Sequence, residues 1–133
     1  MKIHRVSGVV FAILLAVLFI GCGGDDDSIA TQAPSIVGDS LVVSDNTATE
    51  ATITVVVNPN GSETVVSFLV SENDSYTLNT KTADRSIGHG DNNVTVTVTI
   101  DALSNNTLYY CRVSAVNLFG QRSDTTTFRT TLP

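Results

Sequence analysis

The chain has 133 residues, of which 13 are acidic and 7 are basic, and its formal net charge is −6 at neutral pH. A chain this acidic lacks the basic patch that a nucleic-acid-binding surface requires, so we expect no nucleic-acid partner. It has two histidines, two cysteines and one methionine, which leaves few of the side chains that bind transition metals.

Residues 1–21 have the three parts of a secretory signal peptide. Lys2 and Arg5 give a basic start, twelve consecutive apolar residues follow, and the small residue Gly21 stands directly before Cys22. A membrane-spanning helix needs about 18 to 20 apolar residues, whereas this apolar stretch counts sixteen residues at most and is interrupted twice. We therefore predict a cleaved leader rather than a transmembrane helix.

The segment Leu18-Phe19-Ile20-Gly21-Cys22 resembles a bacterial lipobox, although the family prefers leucine at the place of Phe19. The resemblance implies that signal peptidase II cleaves before Cys22 and that the cysteine carries a diacylglycerol and often an acyl group such as palmitate. The mature protein is then a lipoprotein, and two or more acyl chains suffice for stable anchoring. The alternative is an ordinary secretory signal in which Cys22 carries no lipid.

After Cys22 the chain reads GGDDDSIATQAP, and this composition predicts a flexible, acidic tether over residues 22–34. The three adjacent aspartates lack the ligand spacing of a calcium site, so we expect no metal there. They resemble the export signals of surface lipoproteins in Bacteroidetes-like bacteria, which implies display at the outer-membrane surface. Removing residues 1–21 takes away two basic and no acidic residues, which leaves a net charge of −8.

From Ser35 to Pro133 the hydrophobic period is two, which indicates half-buried strands. One face of each run is apolar: Ile53, Val55 and Val57; Val66, Phe68 and Val70; Val94, Val96, Val98 and Ile100. No window has apolar residues at helical spacing over the length of a stable helix. Asn, Asp and Gly turn signals separate about seven short strands, which predicts an all-β, immunoglobulin-like sandwich.

The run NTLYYCRVSAVN at residues 106–117, followed by Gly120 and TFRTT at 127–131, resembles the last strands of a fibronectin type III domain. The resemblance covers residues 35–133. It implies that Tyr109 forms a tyrosine corner, that Leu103 closes the end of the core, and that Cys111 points inward. Because the chain has no tryptophan, we expect Phe68 and Phe128 to be the bulky core residues.

Catalysis finds little support in the sequence. His89 is the only histidine outside the leader, and it lies between two glycines with no nucleophile motif nearby. A catalytic site would need a cleft that unites His89 with Asp84 or Asp91. We therefore predict that the protein is not an enzyme and that it needs no cofactor or metal.

Two functions remain open, and they differ in the surface that they require. The first is a non-enzymatic cell-envelope lipoprotein that acts as a binding or spacer module, with the membrane as partner through its anchor. The alternative is an accessory or adhesion subunit of a polysaccharide-binding or polysaccharide-degrading surface complex, with a protein or glycan partner. An aromatic platform built from Tyr76, Tyr110 or Phe119 would favour the alternative.

Overall fold

The computed structural model describes residues 32–133. The predicted signal peptide, the lipidation of Cys22 and most of the predicted tether lie outside the described residues. In residues 32–133 no helix is long and apolar enough to cross a membrane. This part of the chain forms eight strands: β1 (Ser35–Ile36), β2 (Val42–Ser44), β3 (Ala51–Asn58), β4 (Thr64–Ser71), β5 (Lys81–Gly88), β6 (Val94–Ile100), β7 (Leu108–Asn117) and β8 (Gly120–Arg129).

The strands form two antiparallel sheets of four strands each. In the first sheet β1, β2 and β6 all pair with β3, and in the second the order is β5-β4-β7-β8. The two shortest strands, β1 and β2, are segments of one interrupted strand along β3, which reconciles eight strands with the predicted seven. The all-β, fibronectin type III-like sandwich is thereby confirmed.

The interruption between β1 and β2 lies at Gly38-Asp39-Ser40, where a glycine favours a bend because its backbone is less restricted. The bend is present, but the left-handed conformation falls on Asp39, whose φ is 59°. Aspartate tolerates this conformation because its short side chain can hydrogen-bond locally. The Ser40 side chain continues the ladder across the gap, since its Oγ accepts a hydrogen bond from Val56 N at 3.0 Å.

The core lies between the sheets and contains the alternate residues that the period of two predicts. On β3 and β4 every second side chain is fully buried, and on β7 Cys111, Val113 and Ala115 point inward while Arg112 is exposed. The other face of the first sheet carries threonine pairs across β3 and β6, with hydroxyl oxygens 3.1 and 3.4 Å apart. Alternation along antiparallel strands separates these two environments.

The register defines two ends of the sandwich. At the entrance end, Ser35 pairs with Asn58 and the β7–β8 turn reverses at Leu118 and Phe119. At the far end lie the β4–β5 loop at residues 72–80, the β6–β7 loop at residues 101–107 and the C-terminal residues. The chain therefore comes in at one end, and the longest described loop projects from the other.

Candidate functional site

An open depression of about 520 Å³ lies on the outer face of the second sheet, towards the far end. Tyr110 and Arg112 point outward from β7 and pair in register with Thr127 and Thr125 of β8. The β4–β5 loop covers one side of these strands with Tyr76. We call this depression the Tyr76 site; its lining residues are Asp74, Tyr76, Tyr110, Arg112, Thr125, Thr126 and Thr127.

The β4–β5 loop is held in shape by the side chain of Asn73. Its Oδ1 accepts hydrogen bonds from the backbone N–H of Thr77 at 2.9 Å and of Leu78 at 3.2 Å, an arrangement typical of asparagine-centred turns. Below it, Ser71 Oγ donates to the carbonyl of Leu78 at 2.8 Å. The loop thereby holds Tyr76 at a φ of 56°, a left-handed conformation that costs a residue with a Cβ about 1–2 kcal/mol.

Arg112 and Tyr76 are in direct contact. The guanidinium carbon of Arg112 lies 4.6 Å from the centroid of the Tyr76 ring, within the range of a cation–π interaction. Burial raises the pKa of the Tyr76 hydroxyl above its usual value, so this group stays a neutral hydrogen-bond donor at ordinary pH. Because the Tyr76 ring is neutral, its contact with Arg112 leaves the positive charge of the guanidinium unneutralised.

The guanidinium of Arg112 has no hydrogen-bond acceptor or carboxylate partner within residues 32–133. A guanidinium presents five donors in a fixed fork, and here they remain available beside the threonine hydroxyls of β8. The site thus offers aromatic rings, hydrogen-bond donors and one carboxylate. These are groups that bind a polar ligand, and they include no histidine or acid pair for proton transfer.

His89, the remaining candidate for catalysis, lies at the entrance end, away from the Tyr76 site. It is exposed, and its Nδ1 is 3.7 Å from Oε1 of Glu63, which is also exposed. In the part of the chain that the structure describes, no three His, Cys, Asp or Glu side chains come together as a metal site. The Cys111 thiol is buried, and burial raises its pKa to about 12, which suppresses the reactive thiolate.

Tyr109 and Leu103 lie together at the far end. The Tyr109 ring is buried, and its hydroxyl oxygen accepts a hydrogen bond from Ser104 N at 2.8 Å, which is the contact of a tyrosine corner. The same hydroxyl donates to Glu72 Oε2 at 3.3 Å. Leu103 is buried, and its N–H donates to the carbonyl of Thr49 at 3.0 Å, so it closes the core between the sheets.

Phe68 is fully buried in the middle of β4, and Phe128 is buried on β8. The Phe128 ring stacks on Tyr109 with 5.6 Å between the ring centroids. Of the three aromatic residues that the sequence offered for a platform, the half-buried Tyr76 and Tyr110 share one depression, whereas the exposed Phe119 lies in the β7–β8 turn at the entrance end. The outward direction of Arg112 follows from the β7 alternation, but its place in a site does not.

The two antiparallel sheets and their strand order define a β-sandwich domain of the fibronectin type III kind. No family model and no curated protein sequence matches the chain. It is similar to the sensor domain of the anti-sigma factor RsgI4 in Pseudobacteroides cellulosolvens. The short form of that domain is 27% identical with a TM-score of 0.55, over 80% of this chain and 100% of the other. The long form is 26% identical with a TM-score of 0.54, over 77% and 92%.

A second resemblance concerns the fold alone. OgpA from Akkermansia muciniphila is 13% identical with a TM-score of 0.54, and the match covers 74% of this chain and 29% of that protein.

Proposed function

We propose that this protein is a non-enzymatic, lipid-anchored binding module of the bacterial cell envelope, and that the Tyr76 site holds its ligand. The lipobox-like segment before Cys22 supports the anchor. The Tyr76 site supports binding over mere spacing, and the similarity to domains described as sensor domains agrees with a recognition role.

The observation that carries the proposal is an unpaired guanidinium held against a constrained tyrosine. A spacer needs only a stable sandwich, and it gains nothing from keeping Tyr76 in a left-handed conformation. It gains nothing from leaving the donors of Arg112 without acceptors. Backbone strain that the surrounding structure maintains is concentrated at functional sites, and here both features meet in one depression.

The position of the site suits a protein anchored by its N-terminus. Tyr110 stands seven residues before Asn117 on β7, and at about 3.3 Å per strand residue this separates the two positions by about 23 Å. The ligand-binding face is therefore displaced from the end at which the chain comes in. A partner outside the membrane can reach it without passing the anchor.

A second candidate function is an accessory or adhesion role in a polysaccharide-binding surface complex. Two tyrosines that line the same depression as an arginine, an aspartate and three threonines favour it. A sugar ring offers an apolar face to an aromatic side chain and hydroxyl groups to its polar neighbours. A protein ligand that presents a carboxylate to Arg112 is the competing partner class.

The anchor is tested by metabolic labelling of cells with a palmitate analogue, followed by membrane fractionation. We expect the wild-type protein to carry the label and to sediment with membranes, and the Cys22→Ala variant to lose both properties. Protease treatment of intact cells then reports which side of the envelope the domain faces. An unlabelled wild-type protein, or a Cys22→Ala variant that still sediments, would contradict lipid anchoring.

Ligand binding is tested by affinity electrophoresis of the detergent-solubilised protein through gels that contain neutral or acidic polysaccharides. We expect at least one polysaccharide to retard the wild-type protein, and we expect Tyr76→Ala and Arg112→Gln to migrate freely. Arg122→Gln is the matched control, because it removes the same charge from an exposed residue of β8 outside the site.

Two outcomes of this assay would each contradict one part of the proposal. If no polysaccharide retards the wild-type protein, the polysaccharide role is wrong and a protein ligand must be sought. If retardation survives in Tyr76→Ala and Arg112→Gln, the ligand binds elsewhere and the Tyr76 site is refuted.

A further inference from the structure

The entrance end carries an exposed apolar tip, which we define as Leu118 and Phe119. Leu118 is 90% exposed and Phe119 is 46% exposed, although these side chains favour burial. The turn that presents them is ordered, since Phe119 N donates to Asn117 Oδ1 at 2.8 Å. The tip is therefore a fixed apolar projection.

Apolar surface continues from the tip along the outer face of the second sheet. Val65 and Val116 pair directly across β4 and β7 and are 40% and 41% exposed. This arrangement leaves four large apolar side chains exposed to water at one end of a small domain. Contiguous exposed apolar surface marks an interaction site more often than scattered single residues do.

The incoming chain is held beside the tip by two hydrogen bonds and packs closely against Gly120. Asn117 Nδ2 donates to the carbonyl of Gln32 at 3.0 Å, and Asn60 Nδ2 donates to the carbonyl of Ala33 at 2.7 Å. A Cβ at Gly120 would come within 3.0 Å of the Ala33 Cβ. Gln32 is thus fixed next to the turn, so the chain that leads back to Cys22 starts at the tip.

The distance from Cys22 to Gln32 is ten residues along the chain. Fully extended, ten residues span about 36 Å at most, and a flexible chain of this length has an average span of about 16–19 Å. An anchor at Cys22 therefore keeps the tip near the bilayer surface, and tethering gives a weak contact a high effective concentration.

We propose that Leu118 and Phe119 dip into the membrane interface and seat the entrance end on the bilayer. This inference rests on the proposed lipid anchor. The charged groups near this end include the acidic Glu63 and Asp91 and the basic Arg122. Three aspartates also follow Cys22, so the balance is acidic and an anionic surface would repel this end. The partner is accordingly the interfacial region of a zwitterionic bilayer, which takes up the apolar side chains without requiring basic residues. Seated in this way, the domain directs the Tyr76 site away from the lipid.

The chain contains no tryptophan, so a single introduced indole reports its own surroundings. We would place the lipidated protein in phosphatidylcholine vesicles that contain a lipid with a spin label on its acyl chain. The variants are Phe119→Trp at the tip and, as matched control, Leu132→Trp, whose native residue is 69% exposed at the far end. We expect blue-shifted, quenched emission from Phe119→Trp and unshifted, unquenched emission from Leu132→Trp.

The result also separates this inference from the proposed function. The mass of the purified mature chain shows whether Cys22 carries acyl groups. If it does and the Phe119→Trp emission is unquenched, or is quenched no more than that of Leu132→Trp, the seating of the tip is overturned and the anchor stands. If Cys22 carries no acyl group, the anchor and the seating both fall.

Discussion

The substitution Tyr109→Phe tests the two hydrogen bonds of one hydroxyl group at the far end. It removes a single oxygen atom from a ring that is 2% exposed and leaves the stacking on Phe128 possible. Ser104 N then loses the acceptor that lies 2.8 Å away, and Glu72 loses a donor at 3.3 Å. Glu72 is only half-buried and Ser104 is exposed, so water reaches both groups and replaces part of what each one loses.

Losing a hydrogen bond at groups that water can reach costs about 0.5–1.5 kcal/mol. For a domain of this length, 1 kcal/mol lowers the melting temperature by about 4 °C. We therefore expect Tyr109→Phe to lower the free energy of unfolding by about 1 kcal/mol in urea titrations and the melting temperature by about 4 °C.

Tyr110→Phe is the matched control for this experiment. It makes the same chemical change one residue further along β7, where the described residues give the hydroxyl no hydrogen bond. Its effect should stay within about 0.5 kcal/mol. If the two variants unfold at the same urea concentration, the tyrosine-corner hydrogen bond does not stabilise the fold and the reasoning is refuted.

Three further predictions concern the core and one turn. Phe68→Ala should cost about 3–5 kcal/mol of unfolding free energy, and more than Phe128→Ala, because Phe68 is fully enclosed and Phe128 lies at the edge of its sheet; equal urea midpoints would contradict this. Burial raises the pKa of the Cys111 thiol from 9.0 to about 12, so the unfolded state loses this proton first. The contribution of this group to the free energy of unfolding should be fully present below about pH 9. It should fall by up to about 1.4 kcal/mol per pH unit as the pH rises towards 12. Cys111→Val should remove that part of the slope between about pH 9 and pH 12 in urea titrations, and an unchanged slope would show another origin. Gly120→Ala should destabilise by about 1–3 kcal/mol, because φ is 150° and the new Cβ would meet Ala33; Gly90→Ala, with open space and an ordinary φ, is the control, and equal melting temperatures would contradict the argument.

The buried faces of the core strands were predictable because apolar and polar residues alternate along each of these segments of the sequence. Residues 94–100 alternate valine or isoleucine with threonine, and the structure buries Val96, Val98 and Ile100 and half-buries Val94. Strand β5 carries only Ala83 and Ile87 as apolar residues in a polar sequence, so no pattern indicated it. Its conformation comes from pairing with β4 at the edge of the sheet, and that contact depends on residues distant in sequence.

The candidate site also combines features that follow from local sequence with features that depend on distant residues. The outward direction of Tyr110 and Arg112 follows from the alternation of β7, and the sequence offers Tyr76 as one candidate for an aromatic platform. Their meeting depends on Asn73, whose side chain folds the β4–β5 loop towards the sheet. Phe119 is aromatic like Tyr76 and Tyr110 but lies at the opposite end of the sandwich. Residue type alone does not predict which turns of the chain lie at the same end.

The central claim is that the Tyr76 site binds the ligand of an envelope-anchored module. The most direct measurement is amide chemical-shift mapping of the mature protein during titration with the polysaccharide fragment that retards it most in gels. We predict shifts centred on residues 74–76, 110–112 and 125–127, and their loss in Arg112→Gln. Shifts centred on the threonine face of β3 and β6, or no shifts with any fragment that retards the protein, would contradict the account.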